Sequence, residues 1–354
     1  MNLLQNKYIH ALIIIGLTGL TACSDDPVSD MQGDEAISIL IANEGNFADG
    51  NGSITNFDSE SGRAAQAQFE NENGRPLAGI IQSTVLNDSK LFIVANNSDK
   101  IEVTHAETLE SVATINFDDG LTPSGFAVAN DKGYVSSFYE SSVAVVDLEN
   151  NTVTETRISV GNSPREMLVS GNNLYVANSG NNTVTVIDTE TNNVTTTLEV
   201  GAGPSKLIQD DEGRIWVVCS GIKAYDDEWQ RDPENDTEGG VAILNTTSPG
   251  LAATIETGGF PNSLTLNEQT GRGWVVNEDA VQEIDMNSYA VTEEQFIDRS
   301  FNGIGYSMAE DLLYMAHSRG YSQAGQAIMY NLNGTAIDSF QTGIAPHKFI
   351  FLAE

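Results

Sequence analysis

The sequence predicts an all-β chain folded as a seven-bladed β-propeller of four-stranded antiparallel blades, closed by pairing the C-terminal strand with the N-terminal blade. The first observation is a strand that ends repeatedly in a short polar residue: Asp58, His105, Asp147, Asp188, Asn245, Asp285 and Asn331. Successive members lie 40 to 47 residues apart, except the 57 between Asp188 and Asn245; a period in that range marks radial or stacked repeats. The second is a glycine-rich turn carrying proline, at Pro76, Pro123, Pro164, Pro204, Pro261 and Pro346, with Phe301-Asn302-Gly303 as a proline-free version. The third lies at the two ends of the chain. The run Lys348-Phe349-Ile350-Phe351-Leu352 reads as a blade's first strand with no blade after it, and Ile37 to Asn43 lacks a first strand before it. Pairing them removes two exposed sheet edges.

Within one unit each strand has its own warrant. Leu174-Tyr175-Val176-Ala177, Thr183-Val184-Thr185-Val186-Ile187 and Val194-Thr195-Thr196-Thr197-Leu198 are short, β-branched and separated by Asn, Gly and Asp turns. A fourth strand, Glu166-Met167-Leu168-Val169, follows the proline turn. The Asp closing each third strand is placed to cap a turn, its carboxylate accepting from backbone N–H groups further on. No amphipathic helical run of useful length follows residue 36, which argues against an α/β fold.

Three segments are expected: residues 1–22 a signal peptide, 23–36 an acidic flexible tether, and 37–354 the propeller. Lys7 precedes the apolar run Ala11 to Leu17, too short to span a bilayer, and Leu20-Thr21-Ala22-Cys23 ends it with a small-residue cleavage site. That junction resembles the lipobox of bacterial lipoproteins. The resemblance implies that Cys23 becomes the lipidated N-terminus, holding the protein to a membrane through its lipid alone. The acidic stretch after it resembles surface-export signals of Gram-negative lipoproteins, which implies the outer membrane and the cell surface. The other cysteine, Cys219, sits in the apolar run Ile215-Trp216-Val217-Val218 and is expected to be buried packing. A net charge of −34 argues against nucleic acid as a partner.

In a four-stranded blade, the loop between strands two and three and the turn entering the next blade open on one face. Those segments supply the expected ligand-binding residues: Phe47, Arg75, Asn97, Phe138, Tyr139, Arg165, Asn178, Lys206, Tyr225, Trp229, Asn262, Asn277, His317, Arg319, Tyr321 and His347. Many of the 16 Lys and Arg fall there, so an anionic or amide-rich small molecule is expected among apolar walls. The extra length of the fifth unit, between Gly221 and Gly239, carries Tyr225 and Trp229 and suits a lid or a partner contact. Its carboxylates Asp226, Asp227, Asp232, Glu234 and Asp236 match no EF-hand spacing and are read as a solvated acidic loop. No cofactor and no metal are expected, and a monomer is.

The phrase YVAN…TVTVID with its VGxxP turn resembles the YVTN/YncE-like propellers over nearly the whole chain after residue 36. The stretches Ile41 to Phe47, Asn73 to Leu77 and Asn96 to Val103 are similar to surface lipoprotein propellers that include BtuG-like cobalamin-capture proteins. That resemblance implies non-enzymatic capture of cobalamin or a related corrinoid and handover to an outer-membrane TonB-dependent transporter. Two other readings remain open at this point. One is a scaffold or adhesin for protein or polysaccharide. The other is a metal-dependent lactonase or lyase, for which Glu44, Asn178, Asn277 and Glu278 are the candidate ligands and His317 with His347 a candidate acid–base pair.

Overall fold

A computed structural model describes residues 37–352; the expected signal peptide, Cys23 and the tether lie outside them. Seven four-stranded antiparallel sheets form the seven blades. Blade 1 is assembled from both ends: Pro346–Leu352 is innermost, followed outward by Ser38–Asn43, Ser53–Asp58 and Arg63–Ala65. Leu40 pairs with Ile350 and Ile41 with Phe349 in that closing ladder. Blades 2 to 7 begin at the inner strands Ile81–Asn87, Gly125–Ala129, Pro164–Ser170, Pro204–Gln209, Ser263–Asn267 and Gly303–Ser307. The predicted closure and the predicted blade content are both present.

All seven polar landmarks end a third strand, and five of them cap the turn that follows. Asp58 accepts from the Ser61 amide, Asp147 from Glu149 and Asn150, Asp188 from Thr191, Asp285 from Asn287 and Ser288, and Asn331 from Asn333 and Thr335. These hydrogen bonds hold the four aspartates below the usual carboxylate range.

The core is divided among blade interfaces rather than gathered at one centre. Seven apolar clusters occur, one for each pair of adjacent blades, including the pair that joins blade 7 to blade 1. The repeated phrase explains this. Along Leu174-Tyr175-Val176-Ala177 the side chains alternate, Leu174 and Val176 packing toward blade 3 and Tyr175 and Ala177 toward blade 5. A strand buried on both faces therefore reads as continuously apolar. Cys219 is one of these packing residues, buried against blade 4, where burial pushes its thiol up to about 11. One short helix, Gln68–Asn73, interrupts the passage from blade 1 to blade 2. Among the described residues no helix is long and apolar enough to cross a membrane.

Four of the seven inner strands begin with a β-bulge. The register shifts between Ile81 and Ser83 in blade 2, Pro164 and Met167 in blade 4, Pro204 and Lys206 in blade 5, and around His347 in blade 1. A bulge sets two residues opposite one and re-aims their side chains.

Candidate functional site

The face predicted from the loops carries a funnel of about 710 Å³ on the propeller axis. Its mouth is made by strand two-to-three loops: Asn46, Phe47 and Ala48 of blade 1, Asn96 of blade 2, Phe138 and Tyr139 of blade 3, and Tyr321 of blade 7. Deeper lie Gln82, Ser83, Arg165, Glu166, Ser205 and Lys206, all on inner strands. Those three inner strands are bulged ones, and each gives two consecutive side chains to the lining, where a regular strand would turn every second one away.

The mouth is aromatic and open. Phe47 and Tyr139 are 73% and 79% exposed, an unusual state for rings on a folded surface. Phe138 and Tyr139 meet edge to face at 5.5 Å. Asn46 ties the mouth across two blades by donating to the Tyr321 carbonyl at 2.7 Å, and Asn97 donates to the Phe47 carbonyl at 3.3 Å.

Charges collect at the bottom. The Glu166 carboxylate accepts from Lys348 Nζ at 3.2 Å and lies 3.8 Å from Lys206 Nζ. Lys348 belongs to blade 1 and Glu166 to blade 4, so this pair crosses the axis. The Lys348 ammonium also donates to the Thr84 carbonyl of blade 2 at 3.1 Å. Burial works against ionisation of Glu166, but the two ammonium groups prevail and hold its carboxyl below the usual range. Beside them, His347 meets the Ile81 carbonyl through Nε2 at 3.0 Å. Burial, reinforced by Lys206 and Lys348, pushes its imidazole down to about 3, so the ring is neutral and Nε2 is the donor. Glu44 is the opposite case. Burial raises its carboxyl above the ordinary value, and it accepts from Gln82 at 3.2 Å.

Of the residues expected from sequence, Phe47, Phe138, Tyr139, Arg165, Lys206 and Tyr321 line the funnel, and His347 lies just beneath it. The others have different work. Asn178 is fully buried and donates to Thr183 and Thr185; Asn277 is buried and donates to the Gly258 carbonyl; both stitch a strand end to its neighbours. Arg75 is not at the funnel, because Leu77 to Ile80 separate its proline turn from the inner strand. It pairs instead with the buried Glu102 at 2.6 Å and lies over Phe69. Asn262 donates to the Phe301 carbonyl, and Asn97 accepts from the Ile80 amide. His317 packs edge-on to Phe301, its imidazole lowered by burial and then by Arg299 and Arg319; neither His317 nor Arg319 joins the lining.

Tyr225 and Trp229 stand on a separate arm over 222–238, closed by paired Ile222 and Thr237 and by an Arg231–Asp236 ion pair. They do not line the funnel. Asp226 and Asp236 are engaged within this arm, accepting from Glu228, Gln230 and Ala224 amides. Of the lactonase candidates only Glu44 reaches the funnel; Glu278 is paired with Lys223 at 2.5 Å. The inner-strand lining residues that sequence reasoning missed, Gln82, Ser83, Glu166 and Ser205, lie at the bulges, which have no sequence signature here.

Solved structures of the same fold cover most of this chain. The periplasmic gluconolactonase of Pseudomonas aeruginosa matches with a TM-score of 0.65 at 13% identity, covering 90% of this chain and 99% of that one. A Bacteroides fragilis protein assigned provisionally as a 6-phosphogluconolactonase gives 0.67 at 11%, covering 90% and 98%. A functionally unknown protein from Desulfotomaculum acetoxidans gives 0.64 at 11%, covering 89% and 98%. No curated protein matches the sequence. The expectation that the chain is not an enzyme is overturned here, since propellers of this shape bear the names of hydrolytic enzymes. At these identities the likeness is one of fold. The family model for the domain of unknown function DUF5074 matches residues 38–223, more than half of the chain, and the protein belongs to that family.

Proposed function

We propose that the protein binds a small organic ligand in the axial funnel, and that a corrinoid is the first ligand to test. The observation that carries this is the funnel itself: an open aromatic mouth formed by Phe47, Phe138, Tyr139 and Tyr321 above a charged floor. Concave apolar walls with a few polar fixing groups are how small-ligand sites are built, and ~300–1,000 Å³ is their usual size. A ligand wider than the cavity rests on Phe47 and Tyr139, which extend the apolar surface above the rim. The similarity of Ile41 to Phe47 and Asn96 to Val103 to BtuG-like proteins supports the corrinoid. With Cys23 lipidated, the funnel is carried at the outer surface of the outer membrane and delivers its ligand to a TonB-dependent transporter. Calorimetric titration with cyanocobalamin tests the ligand. Saturating heat at one site per chain is expected, and no heat at micromolar protein removes the corrinoid.

Glu44 favours a second reading, hydrolysis of a lactone bound in the same funnel. A half-buried carboxyl with a raised pKa suits a general base or acid, and gluconolactonase names stand among the fold's solved members. Proton release from glucono-δ-lactone, measured with the wild type and with Glu44→Gln, tests it. Equal rates in both proteins and in buffer exclude this reading.

A further inference from the structure

We infer that the funnel contains a seat for one anionic group, a carboxylate, phosphate or sulfonate, built on Arg165 with Lys206 as its second cation. The inference rests on the funnel being a ligand site and names the chemistry of what enters it. Arg165 stands apart within the lining: Lys206 has Glu166 beside it, yet among the described residues no carboxylate pairs with this guanidinium. Its Nε donates to Ser179 Oγ at 3.2 Å, and its two terminal nitrogens make no hydrogen bond to the described residues. The plane is fixed over the Phe138 ring at 4.6 Å, and the backbone beneath is fixed as well, Ser136 Oγ donating to the Arg165 carbonyl at 2.5 Å. A planar fork held this way, with both terminal nitrogens open to a concave site, matches an oxyanion in two-point geometry.

The other charges of the floor do not fill the seat. Glu166 is satisfied across the axis by Lys348 and accepts a backbone bond from Leu207. Lys206 is held to Glu166 only at 3.8 Å, which leaves its ammonium turned partly to the funnel. Glu44, the remaining carboxylate of the lining, is engaged by Gln82. The neutral His347 adds no charge. Arg75, which the sequence placed on this face, shares the Glu102 carboxylate with Lys100, and Lys223 is paired with Glu278. The cations of the funnel lining are therefore Arg165 and Lys206.

A matched pair of fluorescent probes separates the seat from the aromatic mouth. 8-Anilinonaphthalene-1-sulfonate carries an aromatic body and one anion; N-phenyl-1-naphthylamine carries the same body without it. Wild-type protein is expected to bind both. Arg165→Gln weakens the sulfonate about tenfold or more, the usual worth of a charge-assisted pair, and leaves the neutral probe within about twofold. Arg165→Lys restores part of the loss, and Lys206→Gln gives a smaller one. Phe47→Ala weakens both probes together, which places them at the funnel. Unchanged sulfonate affinity in Arg165→Gln, or binding of the neutral probe alone, overturns the seat while leaving the funnel reading intact. Binding of neither probe overturns both. Because Arg165 contributes one side-chain hydrogen bond to the fold, its variants should melt with the wild type, and that melt is recorded alongside.

Discussion

Replacing Glu166 by Gln tests whether the ion pair across the axis holds the propeller's inner ring together. The substitution keeps size and shape but leaves Lys348 and Lys206 facing each other without a counter-charge. Removing one partner of a fully buried pair costs about 3–5 kcal/mol. Here the Glu166 side chain is 19% exposed and its lysine partners more so, at 31% and 36%. Solvent screening lowers the figure to about 2–3 kcal/mol, or roughly 3–5 °C in a chain of this size. The pH dependence supplies the sharper check. The folded-state pKa of Glu166 lies below its unfolded value, so its stabilisation is present above about pH 4.3 and disappears as pH falls through the folded pKa. The gap in melting temperature between wild type and Glu166→Gln, followed by circular dichroism, should be full at pH 7 and should narrow below pH 4. An equal gap at both values, or none at pH 7, would refute the assignment of this stabilisation to the charge on Glu166.

Three further outcomes follow from the same geometry. His347 is held neutral down to about pH 3 but titrates near 6.5 when unfolded. The unfolded chain therefore binds the extra proton between those values, and stability falls with acidification across that window. His347→Asn should lose less stability than wild type between pH 7 and pH 5, by at most about 2 kcal/mol in urea unfolding. Arg75→Met strips the fully buried Glu102 of its closer partner and should cost about 2–3 kcal/mol, with probe binding at the funnel unchanged; a loss of binding would return Arg75 to the site. The Cys219 thiol should resist a disulfide reagent at pH 8 until denaturant is added, and prompt reaction in the native state contradicts its burial.

The propeller was legible because its signals are local and repeated seven times. A carboxylate such as Asp188 caps its own turn three residues away, so sequence spacing and structure coincide. The face was legible for the same reason, since loop position follows from strand order. Direction within the face was not. Asn178 ends the second strand of blade 4 and Phe138 lies two residues past that of blade 3, yet the first turns into the blade to bind Thr185 and the second turns to the axis. Arg75 was misplaced because four residues, Leu77 to Ile80, lie between its proline and the inner strand of blade 2. Glu166 stands beside Arg165 in the chain and was still passed over. An alternating strand would send one of the two away, and nothing in the letters Pro-Arg-Glu-Met announces the bulge that sends both inward.

Those bulges separate two kinds of change that are usually coupled. The register shift is absorbed before Met167, Leu207 and Ile350 enter their blade interfaces, so what happens at the start of an inner strand leaves the packing between blades untouched. Each blade thus behaves as a socket that accepts one or two pins toward the axis according to a single inserted residue. A propeller built this way can change the side chains that face its axis by editing the entrances of a few strands, while the wall that holds the ring together stays the same.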